Sequence, residues 1–82
     1  MAIVKNVKSI NLKELKINKK GKIEEINLSF TYKRRLNLLG IKKNSIIEKV
    51  GKIKNLHIFK AKNKIIVLPN SLAKKILVKE YE

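Results

Sequence analysis

A chain of 82 residues has room for one small domain and no second core, and burying roughly 60–65% of its unfolded surface gives modest stability without staples. It has no cysteine, which excludes disulfides, zinc ribbons and thiol redox chemistry, and 44% hydrophobic with 33% charged residues describes a globular rather than a disordered chain. The formal charge of +15 suggests acidic partners, but Lys, Ile and Asn, whose codons are richest in A and T, fill 41 of the 82 positions and Asp is absent, so biased base composition alone explains a lysine-covered surface.

In chain order, residues 1–9 mix apolar and basic residues with weak alternation and read as an N-terminal extension or edge strand. Asn11 as N-cap, Glu14 three residues on, and Ile10 with Leu15 as a hydrophobic staple predict a turn or two of helix. Lys19-Lys20-Gly21 reads as a turn, followed by a strand over 22–28 with Ile26 and Leu28 inward. The spacing of Ile23 and Ile26 demands a bulge or sharp bend between them. Glu24 and Glu25, as neighbours on a strand, are expected on opposite faces, which argues against paired acid and base chemistry.

Phe30 to Ser45 carries the clearest local signal. Tyr32, Leu36 and Leu39 recur at the spacing of one helical face, predicting a buried stripe, and Lys33, Arg34, Arg35 and Asn37 fill the others. Gly40 follows the last periodic leucine and suits the left-handed position just beyond the helix, which places Ile41 next and within reach of Leu36. A strand from Ser45 to Val50 ends at Gly51, and residues 52–55 form a loop. Leu56 to Ala61 alternates as a strand with His57, Phe59 and Ala61 on one side. Lys62-Asn63 makes a two-residue hairpin in which Asn63 takes positive φ, and Lys64 to Leu68 returns until Pro69 ends the ladder. Asn70 then caps a short helix over 71–75, and Ile76 with Val78 begins a last strand that Tyr81 completes. Short strands separated by tight turns predict a mainly β fold, a small closed or half-closed barrel with one inserted helix and one or two helical turns, occupying residues 10–82.

Little catalytic chemistry is on offer. There is one histidine, six glutamates and no aspartate or cysteine, so no metal-ligand set assembles from the sequence. His57, mid-strand beside Phe59, reads as a packed or surface side chain rather than a ligand. No nucleophile elbow and no phosphate-binding glycine loop occur. The reading is non-enzymatic, without catalytic, cofactor or metal residues. The longest apolar run is Ile65 to Leu68, far below the ~20 residues of a membrane helix. The N-terminus lacks a secretory apolar core, and a cytoplasmic location is expected.

The stretch Arg34-Arg35-Leu36-Asn37-Leu38-Leu39-Gly40-Ile41, with Ser45 behind it, resembles the R-R-L-x-x-L-G-[LI]-x-x-G-S core of the ferrous iron transport protein A (FeoA) family. Leu12 to Leu15 resembles that family's opening L-x-E-L, Gly21 to Ile23 its G-x-I strand, Ile65 to Leu68 its I-A-L strand, and Ala73, Ile76 and Val78 its closing A-x-x-I-x-V, so the likeness spans about residues 10–79. Asn44 stands where the family has glycine, Asn63 replaces a second hairpin glycine, and Pro69 stands where a basic residue is usual. The resemblance implies an SH3-like β-barrel, cytoplasmic and at the inner face of the membrane through its partner, the cytoplasmic part of the FeoB transporter. It implies modulation of ferrous iron uptake, and transition-metal association as a property of the family. Lys33, Arg34, Leu38, Lys42 and Lys43 are the expected contact residues, being on or beside the helix and away from its apolar stripe. Tyr32, Leu36, Leu39, Gly40, Ile41 and Asn63 are the expected structural ones. The competing reading, carried by charge, is a small basic nucleic-acid- or ribosome-associated barrel, weakened by the presence of only two arginines and four aromatics.

Overall fold

A computed structural model describes residues 9–81, with the side chains of residues 9–80; the expectations for residues 1–8 lie outside it. Six strands run in the order β1 (Ser9–Asn11), β2 (Lys20–Ile26), β3 (Ile46–Ile53), β4 (Leu56–Ala61), β5 (Lys64–Pro69) and β6 (Ile76–Tyr81). Helix α1 (Phe30–Leu38) bridges β2 and β3, and one turn, α2 (Asn70–Ala73), links β5 to β6. All pairings are antiparallel, in the spatial order β1-β6-β2-β3-β4-β5. The last strand is therefore inserted between the first two. This is the expected mainly β architecture of a small SH3-like fold.

The alternation in β4 seats His57, Phe59 and Ala61 inward, as their period of two requires. They meet Leu12, Leu15, Ile23, Ile41, Ile47, Ile76 and Val78 in one core. Asn11 caps the turn after β1 as expected: its Oδ1 accepts from the Glu14 amide at 3.1 Å. That turn does not propagate into helix, and the Leu12 amide donates to the Ala73 and Ile76 carbonyls, at 3.2 and 2.9 Å.

Several boundaries differ from the sequence reading. The turn before β2 centres on Asn18, at φ +71°, and Gly21 lies inside the strand. A Cβ at Gly21 would stand 3.0 Å from both Cβ and Cγ2 of Val78, so glycine is there for the close approach of β6. The expected bulge is present, with register slipping between Ile23 and Glu25 against β6. It turns Ile23 and Ile26 inward, while Leu28 lies beyond the strand and only half-buried. Gly51 does not end β3. The strand bulges between Lys49 and Gly51 and continues to Ile53, where Lys54, at φ +52°, turns the chain. In the β4–β5 hairpin the positive φ falls on Lys62, at +56°, and not on Asn63. A two-residue loop needs both central residues left-handed only in its type I′ form, whereas type II′ needs the first alone. Asn70 is the first residue of α2 rather than its cap, a position held by Pro69.

Candidate functional site: the α1 helix and its flanking clefts

Helix α1 ends as its sequence dictates. Leu39 is the last half-helical residue, Gly40 follows at φ +88°, the Gly40 amide donates to the Asn37 carbonyl at 3.0 Å and the Ile41 amide to the Leu36 carbonyl at 2.8 Å. This is the double bond set of a Schellman stop. It drops Ile41 into the core directly behind Leu36, and both are buried. Asn44, at φ +74°, supplies the left-handed residue before β3, which asparagine does at small cost.

The rest of the expected apolar stripe is not buried. Tyr32 is 45% and Leu39 39% exposed, because α1 meets the core only through its C-terminal turn and Leu36. Tyr32, one turn earlier, overhangs instead. It lines a shallow cleft of about 390 Å³ with Leu28 and Leu72, half-buried residues packed against the main core.

Two further clefts flank the C-terminal half of α1. One, of about 610 Å³, lies between Lys33 and Asn37 of the helix, Lys42 and Lys43 of the following loop, and Glu24 and Glu25 at the β2 bulge. The bulge is what brings both glutamates to one cleft, against the strand rule that would have separated them. Glu24 accepts a hydrogen bond from the Ser9 hydroxyl and pairs with Lys79 at 3.7 Å, so the lysines across the cleft are left to face solvent. The second, of about 370 Å³, runs from Asn37, Leu38 and Leu39 past Lys42 to the β4–β5 turn, where Lys64 Nζ donates to the Leu38 carbonyl at 3.4 Å. Leu38, 74% exposed, forms part of this cleft's rim.

Of the five expected contact residues, Lys33, Lys42 and Lys43 thus share the first cleft, and Leu38 joins Lys42 at the second. Arg34 is exposed on α1 but lines neither. Asn37, common to both clefts, and Glu24 with Glu25 escaped the sequence reading. Asn37 carries no periodic signal, and the glutamates converge only because of the bulge.

A second polar feature lies inside the barrel. His57 is fully buried and Lys49 nearly so. Asn70 Nδ2 donates to Asn55 Oδ1 at 3.3 Å, which turns Asn70 Oδ1 toward His57 to accept from its Nε2–H. The other ring nitrogen, Nδ1, is buried without a partner among the described residues. Burial holds the imidazole pKa below 6.5; the Asn70 bond works the other way, and Lys49, Lys52 and Lys13 add to the lowering. Lys49 Nζ donates to the Lys13 carbonyl at 3.3 Å, and burial, then Lys52, hold its pKa below 10.5. His57 is thus a packed, neutral histidine. Among the described residues no cluster of three or more His, Cys, Asp or Glu side chains could hold a metal ion.

The comparisons agree with this architecture. A crystal structure of an iron uptake regulatory protein, FeoA, superposes with a TM-score of 0.81 at 16% identity over 90% of this chain and 100% of that one. An NMR structure of a FeoA-like protein from Clostridium acetobutylicum gives 0.74 at 28% identity, over 88% and 86% of the two chains. A manganese-dependent transcriptional repressor gives 0.80 at 15% identity, with 95% of this chain matching 45% of the repressor. No curated protein matches the chain. The FeoA domain matches residues 10–80, nearly the whole chain, and the protein belongs to the FeoA domain family.

Proposed function

We propose that this protein is a non-enzymatic, cytoplasmic accessory module of ferrous iron uptake that docks through α1 and the loop behind it onto the cytoplasmic part of the FeoB transporter and modulates it. Family membership supports the role in ferrous iron uptake. The observation that carries the docking surface is the poise of α1. Anchored by Leu36 alone, it holds out Leu38 and a basic rim between two clefts of a size that takes side chains of a partner. An exposed leucine beside clefts is how a small module offers an anchor and a pocket together.

In a titration against the transporter's cytoplasmic domain, Leu38→Ser and Lys42→Glu weaken binding about tenfold or more, and Arg34→Glu weakens it less, since Arg34 lies off both clefts. Each leaves the thermal midpoint within a few degrees. Unchanged affinity in all three removes α1 from the interface. The nucleic-acid reading has one observation behind it, exposed Phe30 and Tyr32 on the same helix as Arg34 and Arg35. Oligonucleotide binding that survives about 150 mM salt with a steep salt slope, and that Phe30→Ala weakens, would replace the transporter reading.

A further inference from the structure

Among the described residues nothing covers the outer face of β3, β4 and β5, which is apolar. In register, Ile53 stands opposite Leu56 and Leu56 opposite Pro69; Gly51 stands opposite Ile58 and Ile58 opposite Val67; and Lys60 stands between Glu48 and Ile65. Ile53 and Ile65 are each 61% exposed and Val67 50%. Gly51 keeps the middle of the face low: Ile58 Cδ1 lies 3.5 Å from where a Cβ would be, so its side chain lies over the glycine. Contiguous exposed aliphatics of this kind mark an interaction site rather than ordinary surface.

Charge and shape say what the face meets. Exposed lysines border it, Lys54 at one hairpin turn and Lys62 at the other, with Lys60 between; Lys52, opposite the inward His57, and Lys64, opposite the inward Ala61 and bonded to the Leu38 carbonyl, belong to the other face. Glu48 is the sole carboxylate of residues 46–69. A second copy of this chain would bring lysine onto lysine. The clefts described above lie around α1 and do not reach Ile53, Leu56 or Val67. The outside of a sheet curled around its core is convex, which suits a broad deformable surface better than a helix or loop needing a groove. Lysine is a hydrated point charge on a long apolar stem, able to reach scattered phosphates without the paired geometry that arginine requires.

We propose that this face is a peripheral docking surface for an anionic phospholipid bilayer, with Ile53, Leu56, Ile65 and Val67 seated at the headgroup boundary and the flanking lysines on lipid phosphates. Neither component suffices alone. Each lysine near an anionic leaflet contributes modestly and is screened by salt, and the aliphatic side chains supply the part that salt does not screen. The contact is distinct from α1 and does not rest on the reading given under Proposed function.

The test is flotation of the full chain with vesicles of phosphatidylglycerol and phosphatidylcholine in equal parts, at about 0.15 M salt. The expected result is binding to these vesicles and little to phosphatidylcholine alone. The Ile65→Ser/Val67→Ser variant, whose positions are exposed, keeps its circular dichroism and thermal midpoint but loses about tenfold or more in binding. Lys60→Gln/Lys62→Gln weakens binding more than Lys74→Gln/Lys75→Gln, a pair placed beyond α2. Equal losses from both lysine pairs, with Ile65→Ser/Val67→Ser harmless, would reduce the effect to net charge and overturn the proposal. So would light scattering that shows a dimer which Ile65→Ser/Val67→Ser dissociates, giving the face to a second copy. Displacement from vesicles by poly-glutamate that binds in an Ile65- and Val67-dependent way would give it to an acidic polypeptide. Titration of the transporter domain with Ile65→Ser/Val67→Ser stays at its native affinity, so failure here leaves the α1 reading untouched, and the reverse.

Discussion

Gly21 and Gly40 are both required, for opposite reasons. Gly40 has open space around it, nothing within 4 Å of a built Cβ, but its φ of +88° is costly for any side chain. Gly40→Ala therefore loses about 1–2 kcal/mol of backbone energy, and Gly40→Asn recovers part of it. Gly21 has an ordinary φ and no space, so Gly21→Ala pushes β2 from β6 at a cost of ~1–3 kcal/mol that asparagine only increases. Denaturant midpoints of the four variants separate the two mechanisms. The buried titratable side chains, Lys49 and His57, make a second pair. Among the described residues Lys49 has a carbonyl but no carboxylate paired with it, so Lys49→Met should raise stability by ~1 kcal/mol at neutral pH. Because its folded pKa lies below 10.5, the native chain gains stability as pH rises through that folded value toward 10.5, and Lys49→Met loses this alkaline gain. His57, also lowered, acts at the other end: the unfolded chain binds the proton more readily, so stability is present above 6.5 and drains away as pH falls below it. His57→Gln should flatten that acid limb in midpoints compared between about pH 7 and pH 5.

At the scale of elements, α1 is a lever held at one end. Leu36→Ala should cost about 2–5 kcal/mol, whereas Leu38→Ser, two residues away, should stay within ~0.5 kcal/mol. Thermal unfolding that ranks them otherwise would mean the helix packs through another face. The stop of this helix was legible in the sequence because it depends on one glycine and on contacts within a few residues. β4 was legible to its ends because strict alternation and the hairpin punctuate it locally. Tyr32 was misjudged because periodicity defines a stripe without saying how far along it the neighbouring barrel extends. Gly21 and Gly51 read as breaks in the sequence, yet Gly21 answers to the close approach of Val78 from β6 and Gly51 lies at a bulge against β4, and such cross-strand causes leave no mark on nearby residues. The expected contact residues come only by elimination from that stripe. What the residue pattern could not supply was Glu24 and Glu25 across the cleft, since a bulge reverses the parity on which strand reasoning depends.

For the whole molecule, a small chain without disulfides rests on one core, and nearly all of its ordering comes from the sheet. Net charge is poor evidence of function here, and the arrangement of charge is better. Acidic side chains gather at the β2 bulge, where they leave the α1 rim basic, and Glu48 alone represents them across three strands. The sheet order has a further consequence, for synthesis. β2, β3, β4 and β5 follow one another as near neighbours and can pair as they emerge from the ribosome. β1 has no partner until β6 arrives, because β6 stands between it and β2 and contributes Ile76 and Val78 to the core. A nascent chain lacking residues 76–81 is a meander with its core open on one side and its first strand unattached. β6 is therefore the strand that closes the barrel, and until it has emerged from the ribosome this protein depends on whatever shields nascent chains.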